Sequence, residues 1–128
     1  MSETELINIR KIIKLTLIKI GIRCDLVGFS YLCYAVELVI LQPNKIHSLC
    51  KCVYSEIGKK FDVEKGGCVE RSIRHAIDNT YVCKNFGELN KMFNMEIYSI
   101  NEKPTAGELI KLTAEVYNLG LYKSFMDI

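Results

Sequence analysis

Apolar residues recur every three or four positions through most of this chain, which is the spacing of α-helices that bury one face. The first such stretch has its apolar positions at Leu6, Ile9, Ile13, Leu17 and Ile20. Little of the pattern is typical of β-strands, so we predict an all-α fold of six helices in one domain, residues 1–128. The predicted helices cover about residues 3–20, 30–41, 46–61, 69–82, 86–93 and 104–119.

Residues that cap or break helices separate these elements. Ser30 is expected to cap the second helix, because a serine oxygen accepts a hydrogen bond from a free amide of the first turn. Pro43 interrupts the chain ahead of the third helix, and Pro104 with Thr105 opens the sixth. We expect a turn at residues 62–67, irregular backbone at 94–103, and a tail at 120–128 that packs on the core through its apolar side chains.

The most informative segment is VERSIRHAID, residues 69–78. On a helix its apolar residues share one face and its charged residues share the opposite face. One face can therefore pack on a core while the other points outward. The apolar set is Val69, Ile73, Ala76 and Ile77, and the outward set is Glu70, Arg71, Arg74, His75 and Asp78.

The outward set suits the major groove of DNA. Arginine donates two hydrogen bonds to guanine, a carboxylate accepts one from cytosine, and further cations contact phosphates. A preceding helix and a short polar turn predict a helix-turn-helix over about residues 46–82. The alternative is an ordinary solvated helix face, since amphipathic helices of this kind are common in soluble proteins.

Composition agrees with a small folded domain. The chain has 128 residues, of which 49% are hydrophobic and 25% charged, and its net charge is +2. These values exclude a disordered tail and a histone-like basic protein, but they do not exclude DNA binding, which depends on local charge. Five cations and no acid lie between Leu6 and Cys24, so we expect this first helix to be electropositive. They are Arg10, Lys11, Lys14, Lys19 and Arg23.

Several other classes of protein are not indicated. The most apolar run, residues 12–22, contains two lysines and lacks a signal-peptide cleavage site, so neither a membrane span nor a secretory signal is predicted. No carboxylate pair, nucleophile–base pattern or phosphate loop indicates an enzyme, and no cofactor is implied.

The six cysteines and two histidines do not form a recognisable metal-binding motif. The cysteines are not spaced as CxxC, and His47 and His75 do not complete a zinc finger. We therefore interpret the cysteines as small buried hydrophobic residues of a reducing compartment, without a disulfide or metal role. They are Cys24, Cys33, Cys50, Cys52, Cys68 and Cys83.

Several blocks resemble one known family. IGKKF at residues 57–61 followed by VERSIRHAID is similar to the helix-turn-helix of the sporulation response regulator called stage 0 sporulation protein A. The resemblance extends over about residues 5–117, through that family's C-terminal effector domain. Its other blocks are IGI at 20–22, GFSYL at 28–32, AVELV at 35–39, Phe93, and KPT at 103–105 followed by Glu108, Leu109 and Ile110.

The resemblance implies a cytoplasmic bacterial transcription factor, associated with the nucleoid, that binds short repeated boxes in double-stranded DNA. It implies that Glu70 and Arg71 approach base edges and that Arg74 and His75 lie along the groove. It also implies that Lys59 and Lys60, at the end of the preceding helix, contribute charge to the phosphate backbone, the alternative being ordinary solvated lysines. It also implies tandem or homodimeric pairing through the last helix, about residues 104–119. The apolar stripe of that helix, suited to packing or pairing, is Leu109, Leu112, Val116 and Leu119.

The chain departs from the family pattern in three places. Cys68 occupies the position of an arginine that reads the groove, and the turn before Val69 is one residue longer and contains Gly66 and Gly67. The sequence is too short to include the receiver domain that full-length members of the family carry, so we expect a stand-alone effector rather than a domain excised from a longer protein. The competing interpretation is a protein–protein module that pairs with a full-length regulator and has lost specific DNA binding.

Overall fold

The predicted all-helical architecture is confirmed. The computed structural model describes residues 1–43, 53–63 and 66–126, and these contain six α-helices and no strand. A short 3₁₀ turn, Leu121–Ser124, follows the last helix. The helices are α1 (Glu3–Ile20), α2 (Val27–Leu41), α3 (Tyr54–Lys60), α4 (Gly66–Cys83), α5 (Gly87–Phe93) and α6 (Ala106–Asn118).

Helix α1 forms as its sequence predicts. The Ser2 hydroxyl accepts a hydrogen bond from the Glu5 amide at its start, and Gly21 ends it with a φ of 115°, a conformation that a side chain would disfavour. Its apolar stripe packs inward, and that packing fixes the helix against α2 and α6. The buried residues of α1 are Ile9, Ile12, Ile13, Thr16, Leu17 and Ile20.

The predicted start of α2 is wrong. The helix begins at Val27, three residues before Ser30, and Leu26 precedes it without a side-chain cap. The cause is packing: a Cβ added to Gly28 would lie 2.3 Å from the Ser72 carbonyl oxygen of α4. The backbones of α2 and α4 therefore pack closely at the first turn of α2, and this packing outweighs the cap that Ser30 could provide. Ser30 lies exposed within the helix.

The predicted boundary between the turn and α4 is also wrong. Gly66 and Gly67 belong to α4, because the helix starts at Gly66. Each glycine costs the helix roughly 1 kcal/mol relative to alanine, and the burial of Val69 and Ile73 offsets that cost. The predicted start of the third helix, residues 46–52, lies outside the described residues, and α3 is described from Tyr54.

Helix α6 and the tail close the core. Thr105 and Glu108 form a reciprocal capping box that starts α6, so Pro104 and Thr105 precede the helix. Leu109 and Val116 are 0% exposed within the chain itself, whereas Leu119 is 62% exposed. Of the predicted apolar stripe, Leu109 and Val116 therefore pack within the chain. The expected docking of the tail is confirmed for residues 121–126, where Leu121, Tyr122 and Phe125 pack against the core.

Candidate nucleic-acid interface

The inner face of α4 is locked into the core. Val69, Ile73 and Ala76 are 0% exposed and Ile77 is 2% exposed, so the predicted division of this helix into two faces is confirmed. Helix α4 packs against α2 on one side and α3 on another. Because four buried side chains and the Gly28 contact fix its rotation, the opposite face is presented in one orientation.

The outward set lies on the surface as predicted. Arg71, Arg74 and His75 are exposed, and Glu70 is half-buried. Arg74 lies 3.7 Å from the Glu70 carboxylate one turn earlier, and both side chains face solvent. Such an exposed pair contributes about 0.3–0.5 kcal/mol, so either group can exchange it for a base or a phosphate. Within residues 1–43, 53–63 and 66–126, neither Arg71 nor His75 has a polar partner.

Asp78, the fifth member of the outward set, is paired. The Lys103 ammonium donates a hydrogen bond to its carboxylate at 2.7 Å. The same ammonium lies 5.6 Å from the centre of the Tyr81 ring. Lys103 was not among the predicted site residues, and no local pattern indicates it, because 25 residues separate it from Asp78. The fold thus neutralises the carboxylate at the far end of the outward set.

The two lysines at the end of α3 are exposed, but Lys60 adjoins α2. Its Nζ lies 5.7 Å from the centre of the Tyr34 ring. Phe61 is 38% exposed and packs edge-on against Tyr31 and Tyr34, with ring centres 5.1 and 6.1 Å away. Lys60 is therefore held next to α2, whereas Lys59 extends from the surface.

The expected electropositive surface of α1 is smaller than its sequence suggests, because the fold brings acids to it from other segments. Arg10 pairs with Glu37 at 2.7 Å, and this contact raises the pKa of the guanidinium. Arg23 pairs with Asp25, and Lys19 lies 3.9 Å from Glu88. Of the five cations, Lys11 and Lys14 alone have no acidic partner in the part of the chain that the structure describes.

The interpretation of all cysteines as buried is wrong for two of them. Cys24 and Cys83 are exposed, whereas Cys33 and Cys68 are half-buried. The exposed pair lies where the polypeptide leaves α1 and where α4 ends, which are surface positions in this fold. Cys50, Cys52 and His47 lie outside the described residues. Among the residues that can be described, no group of three or more potential ligands is placed to hold a metal ion.

None of the helices described is both long and apolar enough to cross a bilayer. The two longest, α1 and α4, each have 18 residues and carry several charged side chains.

Comparison with known families agrees with this geometry. Residues 12–116 match the family model described as "Sporulation initiation factor Spo0A C terminal". The match includes α2 to α5, the second half of α1 and all of α6 except its last two residues, and it confirms the resemblance drawn from the sequence blocks. This family comprises DNA-binding effector domains of transcription regulators and is not a family of enzymes. The chain, with its helical core and outward-facing α4, therefore belongs to the Spo0A C-terminal family of DNA-binding regulator domains.

Proposed function

We propose that this protein binds double-stranded DNA in a sequence-specific manner, with α4 in the major groove. The observation that carries the proposal is that Arg71, Arg74 and His75 are exposed on a helix whose opposite face is buried. Arg71 donates to base edges, Glu70 accepts from a base amino group, and Arg74 and His75 contact the groove and its phosphates. Helix α3 lies across the backbone as the first helix of the helix-turn-helix.

Lys59 and Lys60 have a different role in this proposal. They lie at the end of α3 and supply positive charge to the phosphate backbone rather than to bases. Contacts of this kind fix orientation without reading sequence. Loss of one such lysine lowers affinity for all duplexes alike and reduces the salt dependence of binding by about one counterion.

The test is fluorescence anisotropy with a duplex that carries the family's repeated boxes and with a scrambled duplex of equal length. We expect Arg71→Ala and Arg74→Ala to lower affinity for the box duplex by roughly 1–3 kcal/mol, which is about five- to 150-fold. The same two substitutions should lower affinity for the scrambled duplex much less. Lys123→Ala, which removes an exposed cation from the 3₁₀ turn after α6, is the matched control and should bind as wild type does.

One observation favours a second function. Cys68 stands in the first turn of α4, where relatives carry an arginine that reads the groove, and a thiol cannot make that bidentate contact. The second candidate is a module that pairs with another regulator and no longer recognises specific DNA. Equal binding of wild type and both arginine variants, or no binding at low salt, would support this second candidate and reject the first.

A further inference from the structure

A cavity of about 540 Å³ lies between α1, α2 and the end of α3. Its volume is within the range of roughly 300–1,000 Å³ typical of sites for small molecules. Its inner wall is apolar: Ile13 is 2% exposed and Phe29 is 6% exposed, and the Phe61 ring closes one side. Ile18, 48% exposed, extends the apolar wall toward solvent. The cavity can therefore accommodate an apolar group.

The charged groups around the cavity are unbalanced in favour of cations. Three basic residues line it, Arg10, Lys14 and Lys60, against one acid, Glu37. Arg10 already donates two hydrogen bonds to Glu37, at 2.7 and 3.3 Å, so this pair is neutral as a unit. Lys14 and Lys60 have no acidic partner among the described residues. Two positive charges thus remain beside an apolar wall.

We propose that this cavity binds a small amphipathic anion, whose apolar body lies on Phe29 and Phe61 and whose acid group is held by Lys14 and Lys60. Charge complementarity selects an anion over a cation, and the apolar wall selects an amphipathic molecule over inorganic phosphate. Cys33, one of the two cysteines that line the cavity, does not oppose an anion, since burial raises the pKa of its thiol to about 12 and keeps it neutral. Ser30 at the exposed edge offers a further hydroxyl donor.

The experiment is an amide NMR titration of the full chain with decanoate, a carboxylate with a short apolar tail, and with decyltrimethylammonium at the same concentrations. We expect saturable decanoate-induced shifts concentrated in the segments of α1, α2 and α3 that line the cavity. The ammonium compound carries the same tail with opposite charge and should bind at least about threefold more weakly, as loss of one partly screened charge contact implies.

Three variants make the test specific. Lys14→Gln removes one of the two free cations and should weaken decanoate binding about threefold or more. Ser30→Trp places a large ring at the edge of the cavity from an exposed position and should abolish the saturable shifts. Lys11→Gln removes a neighbouring exposed cation of α1 that does not line the cavity, and it should bind decanoate as wild type does.

The proposal is overturned if decanoate produces no saturable shifts, or if Ser30→Trp, shown to be folded by its amide spectrum, binds decanoate unchanged. It is also overturned if both compounds bind equally well, or if Lys11→Gln weakens binding as much as Lys14→Gln does. The titration contains no DNA, so its result is independent of whether the chain recognises a specific duplex.

Discussion

Cys68 stands at a position where the resemblance to the family implies an arginine that reads the groove. It lies in the first turn of α4, two residues before Glu70, and its side chain is half-buried. An arginine has two donors in the fork geometry that matches guanine. A thiol is a weak single donor, so specificity at one base pair is expected to be reduced in this protein.

The variant Cys68→Arg tests this difference directly. We expect it to tighten binding to the box duplex by roughly 1–3 kcal/mol, while binding to the scrambled duplex gains only the smaller contribution of one added charge. Cys68→Lys serves as the matched control, because it adds the same charge without the bidentate fork. An equal gain in affinity for both variants on both duplexes would show that residue 68 contributes only charge and makes no specific contact with a base.

The contact between Asp78 and Lys103 leads to a second prediction at the level of single side chains. Their contact at 2.7 Å neutralises a carboxylate on the outward face of α4. Lys103→Ala leaves that carboxylate to repel phosphates, so we expect DNA affinity to fall about two- to fivefold at low salt. The repulsion disappears if Asp78 is also replaced, so the double variant Asp78→Ala/Lys103→Ala should bind as Asp78→Ala does. A loss of equal size in both backgrounds would instead assign Lys103 a direct phosphate contact.

At the level of elements, α1, α4 and α6 could be predicted from sequence because each repeats apolar residues at helical spacing on one face. The start of α2 could not be predicted. Its first turn is fixed by the approach of Gly28 to the Ser72 carbonyl, and this contact joins segments more than forty residues apart. Capping rules describe local hydrogen bonds, and here tertiary packing overrides them.

Gly28→Ala tests how strongly that contact determines the packing of α4. Alanine normally stabilises a helix relative to glycine by roughly 0.5–1 kcal/mol. Here its Cβ would meet the Ser72 carbonyl oxygen, so we expect the free energy of unfolding to fall by roughly 1–3 kcal/mol instead. Urea unfolding measures the change, and Ser30→Ala on an exposed position of the same helix is the control. A Gly28→Ala protein as stable as wild type would mean that α2 and α4 can separate without cost.

At the scale of the whole molecule, the candidate site was only partly predictable. Sequence periodicity identifies the outward set, because that set depends on one helix alone. Sequence periodicity cannot identify which cations remain without an acidic partner. Arg10, Lys19 and Arg23 lie in a stretch without acids, yet each lies near a carboxylate, two of them across the fold. The net charge of +2 gives no indication of this distribution.

Because the thiol of Cys33 is half-buried, we expect the stability of the whole fold to decrease at alkaline pH. Burial raises its pKa from an ordinary value of 9.0 to about 12, and Glu37 adds to the rise while Lys14 opposes it. Below pH 9 the thiol is protonated in both the folded and unfolded states, so its contribution to stability is complete. Above pH 9 only the unfolded chain releases the proton, which favours unfolding and lowers stability as pH rises.

Urea unfolding of wild type and Cys33→Ala at about pH 8 and about pH 10, under reducing conditions, measures this contribution. Wild type should lose more stability across the interval, by at most about 1.4 kcal/mol per pH unit above the unfolded pKa. Burial also raises the pKa of Tyr98, but that residue is present in both proteins and its effect cancels in the difference. Cys24→Ala, which removes an exposed thiol, should follow the wild-type pH dependence. If Cys33→Ala follows it as well, the Cys33 thiolate is solvated in the native state, and the cavity wall beside Lys14 is more open to water than its burial indicates.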